Sequence, residues 1–208
     1  MTHKTKVRIR LAAALLMSWL YLPHVGVYLL GGGRKELIDS DLQALSGGLG
    51  MKLPNVVLLL YHLHNSSYYR SAFYYRIGVV WKYLIGWYRP GDRYFNLASG
   101  MKMGKGLWFA HPFATIINAE SIGDNFHCIH CTTVGDGDGK PIIGDNVSLM
   151  ANVTVAGKIR IGNNVTIGAG AVVLRDIPDN CLAAGVPARV IKRRNPETGE
   201  WERVDKKA

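Results

Sequence analysis

The chain has 208 residues, enough for one substantial domain and a smaller accessory one. Its 25 Lys and Arg against 15 Asp and Glu leave a formal charge of +10, which points to an anionic partner. No run interleaves basic and aromatic residues in the way of a nucleic-acid groove, so nucleic acid is not an expected partner. Cys128, Cys131 and Cys181 are too few, and odd in number, for a disulfide framework; they read as reduced thiols. Cys128-x-x-Cys131 lacks the second pair of a zinc site, and no metal is expected.

Residues 1–92 read as a helical N-terminal region that associates with a membrane. Lys4, Lys6, Arg8 and Arg10 precede an almost uncharged stretch over residues 11–30. Its length of about 20 residues suits a span, but it is long for a signal peptide and no small-x-small cleavage site closes it. Pro23-His24-Val25-Gly26 should break a helix near the middle of the stretch. Arg34 and Lys35 put positive charge on its far side as well. The pattern predicts a re-entrant or interfacial element, peripheral or monotopic, on the cytoplasmic face of the inner membrane. The alternative is a buried helical hairpin at a subunit interface of a soluble cytoplasmic protein. Residues 56–88 predict two further helices, broken near Asn65-Ser66-Ser67. Their Tyr and Trp, with Arg70, Arg76 and Lys82, suit the membrane–water boundary, although the Tyr stripe fits ordinary packing equally well.

Residues 93–178 carry a six-residue period. Apolar leaders recur at Ile122, Cys128 and Val134 and, after an insertion, at Ile143, Leu149, Val155, Ile161, Ile167 and Val173. A second series trails each leader by four, from Phe126 and Thr132 through Val147, Val153 and Val165 to Ile177. A fixed period marks a solenoid. Six residues make one short strand and a turn, and three such units close a triangular coil of about 18 residues whose leaders stack inward. The fold class predicted is mainly β, a left-handed parallel β-helix behind the α-helical N-terminal region. Gly, Asp and Asn at Asp124-Asn125, Asp145-Asn146 and Asn163-Asn164 suit its corners. The insertion over residues 135–141 should protrude as a Gly-rich loop. Residues 179–208 read as a cap and basic tail.

Three segments, GLWFAHPFATIIN, HCTTVGDGDGKPIIGDNV and VTIGAGAVVLRDIPDNCLAAGVPARVI, resemble the hexapeptide-repeat acyltransferases, and within them the serine acetyltransferase branch. The likeness covers residues 96–194, about half the chain. The N-terminal segment LLLYHLHNSSYYRSAFYYRIG instead looks like the shortened leader of relatives that serve polysaccharide biosynthesis. The resemblance implies acetyl-CoA as co-substrate, direct transfer without an acyl-enzyme, and a homotrimer whose neighbouring subunits form each active site.

His111 falls on the family's catalytic histidine, the general base for the acceptor hydroxyl. Asn96 stands where the family has the aspartate that orients this histidine, Ala110 where it has a substrate-binding aspartate, and Gly139-Lys140 where it has arginine and histidine. By resemblance, CoA lies along Gly135, Asp136, Ala151, Ala169 and the Ala183-Ala184-Gly185 end; by charge, Arg189, Lys192 and Arg193 could pair with its phosphates. Ala110 and Lys140 become candidate substrate-binding positions. The missing amino-acid-recognition groups predict a sugar hydroxyl as acceptor, a carbohydrate of surface or capsular polysaccharide that is lipid-linked if residues 1–92 meet the membrane. The alternatives are a serine O-acetyltransferase of cysteine biosynthesis, a metal-dependent carbonic anhydrase using His111, His127 and His130, and a non-catalytic membrane scaffold.

Overall fold

The structure is a computed structural model that describes residues 1–204 except 136 and 196. The chain forms two compact units, Met1–Arg93 and Tyr94–Ala208.

The first unit is helical. Helix α1 spans His3–Leu16 and is followed by a 3-10 turn, Ser18–Tyr21, and α2, Leu22–Leu29. Then come α3, Gly33–Ser46, α4, Asn55–Asn65, α5, Ser67–Ile77, and α6, Val79–Gly86. The break in the apolar stretch falls at Met17 and not at Pro23, with a bend of 69°. Pro23 instead opens α2, because proline in a first helical turn forfeits only an N–H that would be unpaired anyway. The α4–α5 break falls as expected. Ser66 is extended there, and its hydroxyl accepts from the Tyr69 N–H at 3.1 Å, capping α5. Gly78, at φ 89°, separates α6 as a further helix that the apolar run did not disclose. Tyr21, Tyr28, Leu42, Leu59, Leu63 and Phe73 form the core of this unit. No described helix is by itself long and apolar enough to cross a membrane.

The second unit is a parallel β-solenoid of the left-handed hexapeptide type. Its first face stacks Phe95–Leu97, Thr115–Ile117, Thr133–Val134, Thr154–Val155 and Val172–Val173. The second stacks Lys102–Met103, Ser121–Ile122, Ile142–Ile143 and Arg160–Ile161. The third stacks Trp108–Ala110, His127–Ile129, Ser148–Leu149, Thr166–Ile167 and Cys181–Ala184. The nine leaders all point inward and are at most 2 % exposed, which is what a period of six on a three-sided coil requires. Two antiparallel strands, Arg189–Arg194 and Trp201–Arg203, extend the third face and cover the edge of its last parallel strand.

The corner between the second and third faces explains its own composition. Asn125, Asn146, Asn164 and Asn180 all take φ near 56°, a region that asparagine tolerates. The side-chain amides of Asn125, Asn146 and Asn164 each donate to the next asparagine up the stack at 2.9 Å. Beside this ladder, the Asp145, Asn163 and Asp179 side chains accept from the backbone N–H of Asp124, Asp145 and Asn163 at 2.8 Å. The glycine before each pair has no room for a side chain: a Cβ on Gly144 would lie 2.5 Å from Asn163 Oδ1.

Candidate active site

Coil lengths locate two irregularities. Above the inserted loop, strand partners are 18 residues apart, as in Ser148 with Thr166. Across the loop they are 21 apart on all three faces, so the insertion adds three residues to one coil at the corner between the first and second faces. Below it, Trp108 pairs with His127 at a separation of 19, but Ile116 pairs with Thr133 at 17. The corner between the third and first faces therefore carries two extra residues in the lower coil. His111-Pro112-Phe113-Ala114 occupies the place that His130-Cys131 fills in the coil above.

His111 stands in that widened corner. Its φ of 51° is one that a β-carbon makes costly by roughly 1–2 kcal/mol, a corner geometry shared by Ala114 at 50° and by Cys131 at 57° in the coil above. Its carbonyl accepts from the Phe113 N–H at 2.7 Å, which closes the turn. The residue is exposed, so the imidazole can reach a substrate proton. Phe113, 49 % exposed, packs its ring on Tyr94 at 5.2 Å and forms one wall.

Carrying the strand register of the third face into its corner, one residue past the last pair of the lowest coil and two past those of the coils above, aligns His111 with His130, Ala151, Ala169 and Gly185. Main-chain bonds tie this corner together: Asn152 N–H to the His130 carbonyl, Gly170 N–H to that of Ala151, and Val172 N–H to that of Gly185. Three of the positions assigned to CoA thus lie in one line with the histidine. With strands about 4.8 Å apart, the line is about 19 Å long. Ala184 adjoins its end and pairs with Arg189 across the terminal hairpin, where Lys192 faces Leu182.

Other assigned residues lie elsewhere in the chain. Asn96 sits exposed on the first face opposite Ile116, and no hydrogen bond joins its amide to the His111 imidazole. Ala110 ends the third-face strand just before His111. Gly135 begins the inserted loop, its N–H bonded to the Val155 carbonyl at 3.0 Å, and Lys140 lies exposed at the loop's end. These two occupy the corner at the far side of the first face from His111. Asp136 lies outside the described residues. Gly139 has φ 143°, and a Cβ there would press on Lys158 at 3.0 Å, so this loop path has no place for the family's arginine.

The CxxC pair does not converge. Cys128 is buried as a leader, its thiol pushed up to about 12 by burial, whereas Cys131 is exposed at the corner. His127 stacks flat on Trp108 at 4.3 Å, and burial lowers its pKa. Among the described residues no three His, Cys, Asp or Glu gather in a way that could hold a metal ion. The 19-residue spacing of His111 and His130 is close to one coil, and the register stacks the two at this corner; what the spacing did not give is the continuation of the line to Ala151, Ala169 and Gly185.

The family model described as bacterial transferase hexapeptide (six repeats) matches residues 140–175. A serine acetyltransferase of Staphylococcus aureus is 30% identical over 168 residues, covering 77% of this chain and 74% of that one. One from Synechococcus elongatus is 38% identical over 100 residues, 45% of this chain and 41% of that relative, so this match spans under half of its length. Among solved structures, Neisseria gonorrhoeae serine acetyltransferase in complex with serine has a TM-score of 0.67 at 24% identity, covering 91% of this chain and 95% of that one. A serine acetyltransferase in complex with CoA has a TM-score of 0.61 at 21% identity, covering 80% and 72%; at these identities both structures speak for the fold.

The triangular hexapeptide coil and the family match define a hexapeptide-repeat transferase. The chain belongs to the serine acetyltransferase-like branch of the hexapeptide-repeat acyltransferases, and it is an acyltransferase. The expected sugar acceptor of polysaccharide biosynthesis is corrected by these matches, which carry the name serine acetyltransferase. The physical error is plain. Ala110 and Gly139 remove contacts that one way of holding serine uses, but a missing contact builds no site for a sugar.

Proposed function

We propose that the chain transfers the acetyl group of acetyl-CoA to the hydroxyl of L-serine, with His111 as the general base. The observation that carries this is the exposed His111 held at φ 51° in a corner two residues wider than the one above it. The imidazole takes the proton from serine Oγ as Oγ attacks the thioester carbonyl. The tetrahedral adduct expels the CoA sulfur, which receives that proton from the imidazolium, leaving O-acetylserine and CoA. A placed base of this kind contributes roughly 10²–10⁴-fold. CoA runs along the line of Ala151, Ala169 and Gly185, where small side chains admit its pantetheine arm, and Arg189 and Lys192 meet its phosphates.

Lys140 supplies the cation for the serine carboxylate. It lies across the first face from His111, so the two groups meet when the loop corner of one copy abuts the histidine corner of another. This supports a homotrimer in which each site draws on two subunits. The test is release of CoA by the purified protein with acetyl-CoA, with and without L-serine. Serine-dependent turnover is expected, and His111→Ala should lower it by about 10²–10⁴-fold with unchanged circular dichroism. CoA release indifferent to serine sinks the reading.

A further inference from the structure

The helical unit holds nearly all of the net charge. Residues 1–93 contain 12 Lys and Arg against 4 Asp and Glu, so +8 of the +10 resides there. Two of those four carboxylates are already matched: Asp39 binds Lys35, and Asp41 lies against Arg76. No acidic residue precedes Glu36, and none lies between Asp41 and Asp92.

The same unit exposes large apolar side chains in two neighbouring places. Around the bend between α1 and α2, Leu16, Trp19 and Leu22 are 74, 62 and 65 % exposed. On α6 and just after it, Val80, Tyr83 and Trp87 are 67, 75 and 78 % exposed. α2 packs against α6, and the Tyr88 hydroxyl donates to the Leu20 carbonyl at 2.8 Å, so the elements that carry the two patches are neighbours. Exposed Lys4, Lys6, Arg8 and Arg10 are distributed around α1, and exposed Lys82 lies on α6. The core of the unit is filled without any of these side chains.

We infer that this face seats the helical unit on an anionic lipid bilayer, lying in the headgroup region without crossing it. The apolar side chains enter the acyl boundary, Trp19, Tyr83 and Trp87 sit at headgroup level, and the lysines and arginines meet lipid phosphates. The 69° bend turns α2 away from the line of α1, so the pair does not form one straight span. Charge selects the occupant. A second copy would bring two strongly basic units together, whereas an anionic leaflet attracts each Lys or Arg near its surface.

The experiment is flotation of the full chain with phosphatidylcholine vesicles, either pure or containing phosphatidylglycerol, at low and high salt. The protein is expected to float with the anionic vesicles, to float at least about tenfold less with neutral ones, and to be released by salt. Trp19→Glu with Trp87→Glu should cut flotation at least about tenfold while leaving helical dichroism and serine-dependent turnover in lipid-free buffer unchanged. Sedimentation of the wild-type chain away from anionic vesicles overturns the inference. So does flotation of the double variant at wild-type level, and so does light scattering in which the double substitution abolishes self-association and lipid changes nothing. Turnover is read separately, so loss of lipid binding and loss of the proposed activity remain distinguishable.

Discussion

In the coil unit the stabilising contacts repeat. An inward leader meets its equivalent one coil away, and a corner asparagine meets the next corner asparagine. In the helical unit nothing repeats. The buried polar groups there are singular: the Asp41–Arg76 pair, and His24 among Tyr21, Tyr74 and Tyr88. A repeated contact spreads its energy over many similar positions, so one loss is small. A singular buried contact concentrates it, so one loss is large. The comparison can be tested by unit, because every described α-helix lies within residues 3–86 and dichroism at the helical band reports the first unit alone.

The largest effect should come from Arg76→Met. Arg76 Nε donates to Asp41 Oδ2 at 2.8 Å and Nη2 to Oδ1 at 3.0 Å, with both side chains at most 6 % exposed. Removing the guanidinium strands a carboxylate in a dry interior, which costs about 3–5 kcal/mol. Denaturant melts of the helical signal should shift by that amount, whereas Arg76→Met with Asp41→Leu should recover most of it. A single variant as stable as the double one would show that the pair is not held in isolation from water.

Next in size is the response to acid. Burial, then the charges of Arg70 and Arg89, lower the His24 pKa from 6.5 to about 4. Tyr74 gives its proton to the Arg89 carbonyl at 2.5 Å, so His24 Nε2–H must be the donor in the 2.9 Å bond to Tyr74. With its pKa lowered to about 4, the ring is neutral near pH 7 when folded. Between pH 6.5 and about 4 the unfolded chain binds a proton that the folded one refuses, and stability falls with pH by about 1.4 kcal/mol per unit, or about 3 kcal/mol across the window. His62, also lowered to about 4 by burial, adds a contribution of the same sign. Helical stability should fall over this window, and His24→Gln should flatten the slope by roughly half while keeping a donor for Tyr74. An unchanged slope in that variant would place the proton uptake elsewhere.

The same contrast decides what could be read from the chain beforehand. The upper coils are legible because each two-residue strand buries its second residue, so six-fold spacing survives in the sequence at Leu149, Val155 and Ile161. The lowest coil is not, since the extra residues after His111 erase the spacing between Phe109 and Ile122. Pro23 misled because proline is tolerated at a helix start as readily as it ends one. At the site, His111 could be placed by likeness. The line joining it to His130 and Ala151 depends on coil lengths, which no local motif expresses. The acceptor was misjudged because absent side chains at Ala110 and Gly139 carry no positive information about what binds.

The smallest effect belongs to the ladder, and it separates two contributions. Asn146 accepts from Asn125 and donates to Asn164, both at 2.9 Å and both at the surface. It also holds φ 55°, which alanine resists and glycine accepts. Asn146→Gly loses only the two exposed bonds and should cost about 1 kcal/mol. Asn146→Ala adds the backbone penalty and should cost about 2 kcal/mol. Neither should move the helical melt, so near-ultraviolet or exchange measurements on the coil are needed to read them. Equal costs for Ala and Gly would mean that the corner gives way to relieve φ. Its asparagines would then be held for their hydrogen bonds alone, and the repetition that keeps each loss small would lie in the side-chain ladder and not in the backbone geometry beneath it.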